Sequence, residues 1–125
     1  MFELHWTAFL NVTTKQKADK LIGCFEEKIH ARVTIQECQP YWKDPKLYRT
    51  VFKTPLCSVS IEKAVFEVLT LGSRISHSWT INCPQKYADG QWTFFGSAGE
   101  KNISVVGIKS LDFEVSGYES DSTSS

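Results

Sequence analysis

Cysteine, histidine and paired carboxylates are the side chains with which a small domain does chemistry, and this chain carries few of them in telling patterns. Cys24, Cys38, Cys57 and Cys83 stand 14, 19 and 26 residues apart, spacings that match no Cys-x-x-Cys pair of metal ligands. A cysteine nucleophile needs a base and an orienting group beside it in space. His5, His30 and His77 are the available bases. Of these, His5 and His77 lie on strand-like segments that could be neighbours in a cleft. Glu26, Glu27 and His30 contain a single Glu-x-x-His spacing, whereas di-metal centres in helix bundles use paired copies of it. No Gly-x-Ser-x-Gly elbow, phosphate-cradling glycine loop or dinucleotide fingerprint occurs. The expectation is a protein without catalytic residues, cofactor or metal, and a His-containing cleft is the enzymatic alternative.

The elements that would position these residues follow from hydrophobic period. Phe2, Leu4, Trp6, Ala8 and Leu10 fall on every second position, which makes one face of an extended segment apolar. From Ala18 the period changes to threes and fours through Leu21, Ile22, Phe25 and Ile29, the stripe of an amphipathic helix. Thr13, with Gln16 three residues on, has the pattern of a capping box. A second strand is expected from Val33 to Gln39, ended by Pro40, and Pro40–Pro45 reads as a loop carrying Tyr41 and Trp42. The segment 47–54 alternates again, with Tyr48, Thr50 and Phe52 on one face and Arg49, Val51 and Lys53 on the other. A second helix, capped by Ser58 or Ser60, carries the stripe Ile61, Ala64, Val65, Val68 and Leu69 and is expected to stop near Gly72. From Ser76 onward the pattern is β. Asp89-Gly90 marks a hairpin turn, and 103–115 supplies one or two strands more.

That order, β-α-β-β-α-β with an additional C-terminal hairpin, is the ferredoxin-like plait: an α+β fold with a mostly antiparallel sheet and both helices on one face. A chain of 125 residues is one domain, expected to span 1–116. The remaining 117–125, acidic and Ser-rich, reads as a flexible tail. Phe9, Tyr48 and Phe52 are expected on the uncovered face of the sheet, where an exposed aromatic patch would serve as an interaction surface.

Bulk composition excludes several functions. Lys plus Arg equals Asp plus Glu at 14 each, so there is no single-sign field to attract nucleic acid or an anionic membrane. The Lys/Arg-Gly-Phe signature of RNA-binding plaits is absent as well. The acylphosphatases, which share the plait, use an Arg in the loop after the first strand, and Asn11–Thr14 has none. The N-terminus lacks the basic start of a secretory signal, and no apolar run approaches the roughly 18 residues of a membrane-spanning helix. A cytoplasmic protein is expected, its cysteines reduced and buried as small hydrophobes.

What remains is protein recognition. Tyr41, Trp42, Asp44 and Tyr48 sit in or beside the proline-bracketed loop, and Tyr and Trp are common interface anchors. The stretch Asp89-Gly-Gln-Trp-Thr-Phe-Phe-Gly-Ser-Ala98, followed after a polar loop by 103–115, resembles hairpins of small bacterial immunity proteins of contact-dependent and polymorphic toxin systems. The resemblance covers about a quarter of the chain. It implies a single-domain, non-catalytic cytosolic protein whose partner is a cognate toxin domain, often a nuclease, blocked by occlusion of its active site. The neutral charge departs from the acidic balance common among inhibitors of nucleases. The rival expectation is a homodimeric accessory subunit that pairs through its open sheet face.

Overall fold

β1 (Phe2–Leu10) follows its alternation closely: Phe2, Leu4, Trp6, Ala8 and Leu10 are buried, and His5, Thr7 and Phe9 lie half-buried on the other side. The computed structural model describes residues 1–119. α1 (Lys15–Ile29) turns Ala18, Ile22, Phe25 and Ile29 onto the same core. Its cap is Thr14, one residue later than the capping-box pattern suggests, and the Thr14 hydroxyl accepts the Lys17 N–H at 3.2 Å. At its other end His30 adopts a left-handed conformation (φ 56°) and donates its N–H to the Glu26 carbonyl. Arg74 then donates to the carbonyl of Ile29 at 2.8 Å, tying the second helix to the end of the first.

β2 (Thr34–Tyr41) and β3 (Asp44–Pro55) form a hairpin that absorbs both prolines of the expected loop. β2 is the edge of the sheet, where a strand tolerates the missing N–H of a proline, and its register with β3 shifts directly after Pro40. Pro45 lies beyond the reach of β1, whose pairing with β3 begins at Tyr48. α2 (Ile61–Ile75) is capped by Ser60 and buries Ile61, Ala64, Val68, Leu71 and Ile75. Gly72, expected as its end, lies inside it. The indole of Trp79 sits there, donating Nε1–H to the Gly72 carbonyl at 3.0 Å, and a Cβ at 72 would come within 3.1 Å of that nitrogen. Close approach of a ring explains this glycine better than a helix stop does.

Beyond α2 the chain makes two-residue strands β4 (Thr80–Ile81) and β5 (Gln85–Lys86), then the long strands β6 (Trp92–Gly99) and β7 (Ile108–Gly117). A 3₁₀ turn (Glu100–Asn102) stands between the last two. The Asp89-Gly90 turn forms as expected, with Gly90 at φ 94° and the Asp89 carboxylate accepting the Gln91 N–H. Of the segment 103–115, only the part from Ile108 is strand, and Gly107 (φ 106°) makes the turn into it.

The architecture is α+β: two helices and a seven-stranded, wholly antiparallel sheet of order β2-β3-β1-β7-β6-β4, with β5 also pairing with β6. This differs from the order the sequence suggests. The strand that follows α2 does not settle beside β1; β7 takes that place, and β6 and β4 continue outward. The core lies between helices and sheet and is built around Trp6. Its ring meets Phe25 at 5.0 Å, Phe113 at 6.2 Å and Phe52 at 6.4 Å, and its Nε1–H donates to the buried Thr54 hydroxyl at 2.9 Å. Burying each such ring contributes about 1.5–3 kcal/mol. Phe52 and Tyr48 belong to this side, packed on the core, and not to the open face. The cysteines also depart from expectation: Cys24, Cys57 and Cys83 are exposed and Cys38 half-buried, because Cys24 is off the buried stripe of α1 and Cys57 and Cys83 lie in connections between elements.

The first residues of the expected tail are engaged. Gly117 ends β7, the Met1 ammonium donates to the Tyr118 carbonyl, Tyr118 Oη donates to Asp89 at 2.9 Å, and the Glu119 carboxylate accepts the Ile61 N–H at 3.0 Å. The rest of that tail, 120–125, lies outside the described residues.

Candidate functional site

The β2–β3 hairpin reverses over two residues, Trp42 and Lys43, and so projects them from the end of the sheet. The Asp44 carboxylate accepts the Lys46 N–H at 3.1 Å, a local turn that sets the start of β3. Tyr41 rests edge-on against Phe9 of β1, ring centroids 4.8 Å apart, and Trp42 leans on Tyr41 at 6.2 Å. Trp42 is 81% exposed, with the Lys43 ammonium 5.0 Å from its ring centroid. Behind the tip, Arg49 and Glu37 form a cross-strand ion pair at 3.4 Å.

Three of the four residues singled out from the sequence therefore meet at one place: Tyr41, Trp42 and Asp44. Tyr48 does not join them. It pairs with Leu10 across β1 and turns to the helix side of the sheet. Phe9, expected on the uncovered face, is the foot on which Tyr41 stands, a contact that sequence reasoning missed. Its place on the polar register of β1 was legible, but its pairing with the hairpin tip depends on the β1–β3 register.

The open face is polar over most of its width. Cross-strand register sets Lys53 of β3 beside His5 of β1, His5 beside Glu114 of β7, and Glu114 beside Phe95 of β6; the next row runs Val51, Thr7, Asp112, Ser97. β7 and β6 form the floor and β4 one wall of a groove of about 330 Å³, which His5, Asp112 and Glu114 line. Asp112 is exposed to solvent, yet the groove strips enough water from its carboxyl to hold it above the ordinary carboxylate range. His5 belongs to this groove, and His77 lies elsewhere, in a depression with Asn102 and Ser104. No cysteine lines the groove, so the pairing of a thiol with a histidine base does not arise there. Glu26, the neighbour of the Glu27-x-x-His30 spacing, spends its carboxylate on the Val33 N–H at 2.8 Å.

On the opposite side, α2 exposes Phe66 (75%) above a depression of about 740 Å³ lined by Val59 and Leu71. No helix is long and apolar enough to cross a membrane among the described residues. No known protein family, curated protein or solved structure matches the chain.

Proposed function

We propose that this chain is a small non-catalytic binding protein, an immunity protein that neutralises a cognate toxin domain in the bacterial cytoplasm by covering it. The observation that carries this reading is Trp42, a large aromatic held 81% exposed at the tip of a short hairpin and braced by Tyr41 and Phe9. A braced ring loses little entropy on docking, which is what makes aromatic anchors effective. Asp44 and Lys43 beside it supply the polar rim.

The set β2-β3-β1-β7, with α1 and α2 as its two crossovers, supports reading the fold as a ferredoxin-like plait. In that reading β4, β5 and β6 are an insertion ahead of the closing strand. The rival, a homodimer formed through the open face, would have to desolvate Arg49, Lys53, Asp112 and Glu114, charges that a self-pairing interface seldom buries.

The experiment is a binding titration against the purified toxin domain encoded beside this chain, together with inhibition of that toxin's activity. Wild type should bind and inhibit. Trp42→Ala should weaken binding at least tenfold, about 1.4 kcal/mol, with an unchanged melting temperature. Equal binding by Trp42→Ala, or failure of the wild type to inhibit, would overturn the proposal.

A further inference from the structure

The outer face of α2 carries a stripe arranged evenly about the middle of the helix. Its midpoint is the buried Val68. Glu62 and Arg74 stand six residues before and after it, and Phe66 and Thr70 two before and two after. A spacing of four keeps such residues on one face. All four line the depression of about 740 Å³ that Val59 and Leu71 share.

The fold leaves this stripe unused. Phe66 is 75% exposed in the middle of a helix whose other face is packed on the core. Glu62 and Arg74 are exposed, and among the described residues the one ion pair is Arg49 with Glu37. Twelve residues of helix, about 18 Å, hold Glu62 and Arg74 beyond reach of one another within a chain. Arg74 spends one N–H on the Ile29 carbonyl and keeps four of the five that a guanidinium carries. The other carboxylate of the depression, Glu67, is occupied by the Cys57 and Ser58 N–H groups and by the Ser58 hydroxyl.

We propose that this face of α2 binds a second copy of the chain, the two helices antiparallel about a two-fold axis at Val68. Such an axis sets each position opposite its reflection through 68, so 62 faces 74 and 66 faces 70. Glu62 of each copy then meets Arg74 of the other, once at each end, and the two Phe66 rings lie side by side, each over Thr70 of the other copy. Lys63 falls opposite Ser73. Charge selects this occupant: an acid and a base at the separation the stripe demands, in reversed order, are what the same helix supplies. A single helix face is a small interface, so the pair is weak and reversible. The contact is separate from the hairpin tip, which stays free.

The test is sedimentation equilibrium of the full-length chain up to about 1 mM. Wild type should dimerise with a dissociation constant of about 100 μM or tighter. Phe66→Asp, Glu62→Arg and Arg74→Glu should each weaken the dimer at least tenfold in chains that remain folded by circular dichroism. An equimolar mixture of the two charge variants should recover wild-type affinity, because both ends of the mixed pair again join opposite charges. Lys53→Glu, on the open face of the sheet, should change nothing. A wild type that stays monomeric, wild-type association by Phe66→Asp, or no recovery in the mixture would overturn the proposal. So would loss of the dimer in Lys53→Glu, which would place the contact on the sheet.

Discussion

The same substitution, glycine to alanine, should move the stability of this protein in opposite directions at positions 96 and 23. Gly96 lies in β6 directly across from Phe113 of β7. A Cβ built there would be 2.5 Å from Phe113 Cζ and 3.1 Å from Cδ2, so the ring would have to retreat by about 1 Å to reach ordinary van der Waals separation. It has nowhere to go: Phe113 is 2% exposed and hemmed by Trp79 at 5.2 Å, Phe94 at 5.3 Å and Trp6 at 6.2 Å. Overpacking of this kind costs about 1–3 kcal/mol, and the rigid aromatic wall places Gly96→Ala near the upper end. Gly23, in contrast, is inside α1 with nothing within 4 Å of its virtual Cβ. Alanine there should add about 0.5–1 kcal/mol through helix propensity and a less disordered unfolded chain. Urea titrations give both numbers from the midpoints, provided the slopes agree, and thermal melts should separate the variants by roughly 3–6 °C for each kcal/mol. A Gly96→Ala protein as stable as wild type would refute the placement of Phe113 and the rigidity ascribed to its surroundings.

Other perturbations probe other parts of the argument. Trp6→Phe keeps an aromatic ring but strands the Thr54 hydroxyl, 2% exposed, and leaves a small void; denaturant titration should show a loss of about 2–4 kcal/mol. Asp112→Asn should be more stable than wild type at pH 7. The folded carboxyl of Asp112 is held above its ordinary value of 3.8, so its stabilising contribution is complete below 3.8 and is lost as pH rises through the folded pKa. The advantage of Asn, which never ionises, should accordingly vanish below pH 3.8, as melts across the pH range would show. Glu119→Ala removes the acceptor of the Ile61 N–H at the start of α2 and should cost about 0.5–1 kcal/mol, with faster hydrogen exchange at that amide.

Period carried most of what was legible in advance. The alternation of β1 and most of both helix stripes are set by local burial, and the structure places Trp6, Phe25 and Val68 where those patterns put them, while Leu69, expected in the second stripe, is exposed and Leu71 is buried in its stead. The readings that failed each needed a tertiary fact. Gly72 looked like a helix end because nothing local announces that Trp79 will lie over it. Pro40 looked like a strand end because its strand was not known to be an edge. Tyr48 and Phe52 were placed on the bare face because alternation separates two faces without saying which one meets the helices. The candidate site divides in the same way. Tyr41, Trp42 and Asp44 were recognisable as residue types in a short connection, whereas the groove of His5, Asp112 and Glu114 exists only through the register of three strands.

That β7 lies beside β1 has a consequence for how the chain acquires its shape during synthesis. β1 leaves the ribosome before every other element of this fold, yet one of its two lateral neighbours spans residues 108–117. Until those residues emerge, one side of the innermost strand, with Trp6 at its middle, has no hydrogen-bonding partner. Assembly dominated by such distant pairings is slow, and a nascent chain halted before position 108 would present an apolar, unpaired β edge, the kind of surface that chaperones shelter.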